Sequence, residues 1–106
     1  MIEARLLDDR EVQLVQRCLE AVASGRFFPQ WEFETLFGLS QKEVQAIAGR
    51  WPHNAAERST ETAVINAVAH LYGYPHGQED EIRNNVGAEP ASLGRLLEKL
   101  RSISKP

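Results

Sequence analysis

A chain of 106 residues, 42% apolar and 25% charged, is long enough for one core and carries no compositional bias toward disorder. Its formal net charge of -3 excludes a general attraction to nucleic acid or anionic membrane, so any such contact must rest on a local basic patch. The single cysteine, Cys18, excludes an intramolecular disulfide and a cysteine-rich zinc site, and among Val15, Leu19 and Val22 it reads as a small buried apolar side chain.

The opening nine residues are too short and too charged for a signal peptide or a membrane span, which makes the cytoplasm the expected location. A first helix is predicted from Asp8 or Asp9, whose carboxylate can accept orphan backbone N–H groups, with Glu11 complementing the helix dipole. Val12, Val15, Leu19 and Val22 form its apolar stripe, and Gly25 supplies a left-handed cap. Pro29 suits the first position of a short second helix, which carries Trp31, Phe33, Leu36 and Phe37 and ends at Gly38. Ser40 and Glu43 make a capping box for a third helix, with Val44, Ile47, Ala48 and Trp51 on one face and Pro52 as its stop.

Residues 53–60 have no apolar pattern and read as a polar joint, in which His53 is a solvated loop residue. Ser59 or Thr60 is the expected cap of a fourth helix bearing Val64, Ile65, Val68 and Leu71, closed by Gly73. Tyr74-Pro75-His76-Gly77 is a turn by residue chemistry. Glu79, Asp80 and Glu81 then occupy the first turn of a short fifth helix with Ile82 and Val86, ended by Gly87. Pro90 preorganises a sixth helix, on which Leu93, Leu96, Leu97, Leu100 and Ile103 recur at three and four. No run alternates with period two. The fold class expected is all-α, a bundle of about six helices.

The same order occurs twice. Ala21-Val22-Ala23 and Pro29 align with Ala67-Val68-Ala69 and Pro75, and Phe37-Gly38 aligns with Val86-Gly87 after a shift of about three residues. Val44, Ile47 and Trp51 then fall on Leu93, Leu96 and Leu100. The reading is one domain, 1–106, containing pseudo-repeats 11–52 and 61–101, each too short to bury a core alone.

Residues 33–47 resemble the helix-turn-helix pattern, with Gly38 in the turn, Phe37 and Leu39 beside it, and Val44 and Ile47 six and nine positions on. Ile82, Val86, Gly87, Ala88, Leu93 and Leu96 repeat it. Glu34 and Arg83 stand where the family usually places a small residue. The resemblance implies a shape, and as an alternative function a nucleic-acid-binding regulator. The second helix of the first copy would then offer Gln41, Lys42, Gln45 and Arg50, and that of the second Ser92, Arg95, Lys99 and Arg101. Glu43 and Glu98 sit among these groups, and a DNA reader normally carries a concentrated basic footprint.

Asn66, His70, Tyr72, Tyr74, His76, Glu79 and Asp80 are the gathering that suggests chemistry. A metal-dependent activity around His70 and His76 is a second alternative, but their spacing matches no metal motif. The competing reading is structural: a turn at His76-Gly77 and a buried amide at Asn66. No phosphate loop, nucleophile signature or paired carboxylates occur, so no cofactor and no catalytic residue is assigned. The expectation is a small, soluble, bacterial-looking, non-enzymatic protein-binding or regulatory module, with an immunity or antitoxin-like inhibitor as one instance. The proposed contact residues are Phe28, Trp31 and Phe33, because a short helix cannot bury every neighbouring aromatic, and the acidic turn His76, Glu79, Asp80 and Glu81. The competing readings are that all the aromatics wedge between helices and that the acids serve the dipole of the fifth helix.

Overall fold

Side chains that satisfy orphan backbone groups set the helix boundaries in the computed structural model, which describes residues 4–25, 28, 30–73 and 79–103, leaving aside the side chains of Ala4, Gln30, Trp31, Glu32, Leu36 and Glu79. After a 3-10 turn at Ala4–Leu6, the described residues form α1 (Asp9–Ala23), α2 (Gln30–Phe37), α3 (Gln41–Arg50), α4 (Arg58–Gly73), α5 (Glu79–Val86) and α6 (Pro90–Ile103), with no strand among them. The protein is all-α.

Asp8 caps α1 by accepting from the Glu11 N–H at 2.8 Å, and the Glu11 carboxylate accepts from the Asp8 N–H at 2.9 Å. Ser40 and Glu43 close the same reciprocal pair at the start of α3. Gly38 and Gly87 end α2 and α5 with φ of 70° and 74°, a left-handed conformation that a side chain would strain. Each donates its N–H to a carbonyl four residues back, that of Glu34 and Arg83 respectively, at 2.8 Å. The predicted helix ends at Gly38 and Gly87 are therefore formed.

The start of α4 differs from the sequence reading. Helix begins at Arg58, and the Glu57 carbonyl accepts from the Glu61 N–H, so neither Ser59 nor Thr60 is the cap. Thr60 is instead fully buried. The connection before it is not a uniformly solvated joint either: Asn54 and Ala55 are buried, and Asn54 donates to the Ile47 carbonyl at 3.2 Å. The Ile47 carbonyl also accepts from the Trp51 N–H, so the Asn54 bond ties the segment back onto α3. His53 is exposed, as expected of a loop residue.

Packing draws the helices into one core. α1 lies on α3 and α4 on α6, and α1 and α4 pack on each other at the centre. α5 packs on α1, and α2 on α4. Val15, Leu19, Val22, Val64, Val68, Leu93 and Leu100 are almost wholly removed from water. Val44, Ile47 and Trp51 are buried, as are Leu93, Leu96 and Leu100.

Candidate functional site

Polar side chains that look available in the sequence are largely spent on helix ends. Gln41 and Gln45, one turn apart on α3, both donate to the Ala23 carbonyl, at 2.9 and 3.1 Å, and so finish the C-terminus of α1. Arg50 forms a salt bridge with Glu57 at 2.8 Å. Of the four residues the first helix-turn-helix copy would offer to nucleic acid, only Lys42 makes no hydrogen bond or ion pair among the described residues.

Asn66 and His70 share a face of α4, and that face meets the end of α2. The Asn66 amide donates to the Phe37 carbonyl at 3.2 Å. The His70 ring packs edge-on to Phe37 and Phe28, with centroids 5.2 and 6.3 Å away. Both residues thus serve the packing of α2 on α4. His76 lies outside the described residues, and among those described no group of three His, Cys, Asp or Glu side chains could hold a metal ion.

The aromatic interface candidates need correction. Phe28 and Phe33 are each only 2% exposed, and Phe37 is fully buried. Phe28 meets Phe37 edge-on at 5.1 Å, while Phe33 lies 4.6 Å from it. α2 is covered by both α3 and α4, so two faces of this short helix are buried rather than one. The Trp31 side chain falls outside the described residues.

The acidic candidates are placed differently. Asp80 is 92% exposed in its side chain and pairs with Arg83 at 2.9 Å; Glu81 is also exposed. Arg83 holds Glu89 at 3.0 Å as well, linking the start of α5 to the α5–α6 corner. Glu79 begins α5, with its side chain undescribed.

Beside that corner runs a groove of about 780 Å³ between α1 and α6. Arg10, Leu14 and Arg17 line one wall, and Ser92, Arg95, Leu96 and Lys99 the other, with Gly87-Ala88-Glu89 along the side. Spacings of three, four and seven put each set on one helical face. Lys99 crosses to Glu11 at 2.6 Å. Arg17 rests against the corner: a methyl group on Gly87 would stand 3.4 Å from its Nη1 atom. The sequence reading noticed the α6 residues only as a second helix-turn-helix copy and missed the α1 wall. Arg10 and Arg17 at i, i+7 were the available signal, but their opposing wall lies about eighty positions away in the chain.

Cys18 is fully buried, and burial pushes its thiol up to about 12 despite the lowering influence of Arg17. It should resist an aromatic disulfide reagent in the native state and react rapidly once denaturant is added. Because the folded value lies above the unfolded one, the thiol's contribution to stability is complete below about pH 9 and falls as pH rises toward about 12. Comparing alkaline denaturation of the protein with that of Cys18→Ala checks the sign: the variant should lose less stability across that window.

No protein-family model, curated protein or solved structure matches this chain. No helix among the described residues is long and apolar enough to cross a membrane.

Proposed function

We propose that this chain is a small, non-enzymatic protein-binding or regulatory module whose contact surface is the charged side formed by α1, α5 and α6. The observation that carries the reading is the groove between α1 and α6, an open, polar concavity held between helices of a well-packed core. The relay from Asp80 through Arg83 to Glu89 joins the exposed acidic turn of α5 to the groove rim, giving one continuous charged surface. Elsewhere, the amides of Gln41, Gln45 and Asn66 are committed to helix ends, which favours a binding role over a catalytic one. An inhibitor of the immunity or antitoxin kind, working in the cytoplasm, is an instance of such a module.

The test is affinity capture from the native cell followed by reconstitution with the purified partner. Reversing Glu79 and Asp80 to Lys should change the association rate and its salt dependence, since exposed charge acts mainly on the on-rate. Failure to reconstitute a complex with any captured protein would overturn the reading. A second reading, a nucleic-acid-binding regulator, rests on the helix-turn-helix resemblance around Gly38 and Gly87, whose left-handed backbone ends α2 and α5. A gel shift with duplex DNA that collapses as salt is raised would establish it instead.

A further inference from the structure

The charges in the α1–α6 groove do not cancel locally. Of its carboxylates, Asp8 and Glu11 cap α1, Glu11 also holds Lys99, and Glu89 is paired with Arg83. Its cations are Arg10, Arg17, Arg95 and Lys99. Only Lys99 has a carboxylate partner among the described residues; Arg95 makes a long contact of 3.4 Å to the Ser92 hydroxyl, and Arg10 and Arg17 make no hydrogen bond or ion pair there. Three exposed guanidinium groups are therefore left facing one concavity in a protein whose net charge is -3.

We infer that the groove receives an acidic segment of a protein partner, with Arg10, Arg17 and Arg95 binding its carboxylates. This rests on the protein-binding reading above and names the chemistry of the partner. Guanidinium groups suit carboxylates because their planar fork donates two parallel hydrogen bonds. The floor adds a modest apolar contact through Leu14, Leu96 and Ala88, which fits a segment with an occasional aliphatic residue among its acids.

Nucleic acid fits the groove less well. A duplex is read by a helix that protrudes into its major groove, whereas Lys99 is drawn back across the concavity to Glu11. A single strand is usually held by aromatic side chains on which its bases stack, and among the described residues none lines the groove. Carboxylates on a polypeptide need only the fork and the charge.

The experiment is fluorescence anisotropy of the intact protein with a dye-labelled oligoglutamate peptide, alongside a single-stranded oligothymidine and a DNA duplex of similar charge. The peptide should bind at low ionic strength and release as salt is raised. Arg10→Gln, Arg17→Gln and Arg95→Gln should each weaken it by roughly 3- to 10-fold, the range of a charge-assisted contact near solvent. Arg→Lys at the same positions should recover only part of the loss, because charge returns without the fork. Lys42→Gln, an exposed cation on α3 outside the groove, should change nothing.

Absence of peptide binding at low salt overturns the inference, as does binding that the three arginine variants leave intact. Tighter, arginine-dependent binding of either nucleic acid overturns it too, and with it the protein-binding reading. A reconstituted partner complex that ignores all three arginines overturns the groove's role alone.

Discussion

Replacing Trp51 by alanine is expected to destabilise the protein by about 3–5 kcal/mol, the usual cost of deleting a large buried aromatic. Trp51 is 6% exposed, and its indole N–H donates to the Val12 carbonyl at 3.0 Å. The side chain therefore fills space between α3 and α1 and also ties their backbones. Its aliphatic counterpart in the pseudo-repeat alignment, Leu100, is fully buried but has no such donor. A Trp51→Phe variant separates the two contributions, keeping most of the volume and losing a hydrogen bond of about 1 kcal/mol net. Guanidinium titration measures both. A loss below about 1 kcal/mol for the alanine variant would contradict the burial on which the α1–α3 contact depends.

Phe37→Ala should have an effect of similar size, about 3–5 kcal/mol, for a different reason. Phe37 is the hub of the aromatic cluster, touching Phe28, Phe33 and His70, and α2 on α4 is organised around it. Phe37→Leu should recover most of the loss, leaving a deficit of about 0.5–1.5 kcal/mol per edge contact forfeited. Thermal or denaturant unfolding of the two variants decides the matter. If the alanine variant unfolds with the original midpoint, α2 is not held through Phe37.

Local chemistry was readable residue by residue. Asp8, Ser40, Gly38, Gly87 and Pro90 mark helix ends in the sequence because a cap depends on neighbours three or four positions away. The destinations of Gln41, Gln45, Asn66 and the Trp51 indole were not readable, since each bonds a backbone carbonyl on a different helix. The burial of Phe28 and Phe33 is not legible in the sequence. Phe33 lies on a helix covered by both α3 and α4, and Phe28, ahead of that helix, is buried against Phe37 and His70. The groove was invisible for the same reason as the long-range caps: Arg17 and Arg95 come to line one concavity only through the fold, from helices far apart in the chain.

The way helix ends are finished bears on how the molecule can come apart. Gln41 and Gln45 complete α1 from α3, Gln16 of α1 reaches the Ala48 carbonyl at 3.0 Å in return, and Asn66 completes α2 from the second half of the chain. Withdrawing α1, α3 or α4 would uncover apolar surface and orphan a backbone carbonyl on its neighbour in the same step. Partial opening is then penalised on both sides of the break. With α1 and α4 packed together at the centre, separating the two halves of the chain would expose the apolar faces of both helices at once.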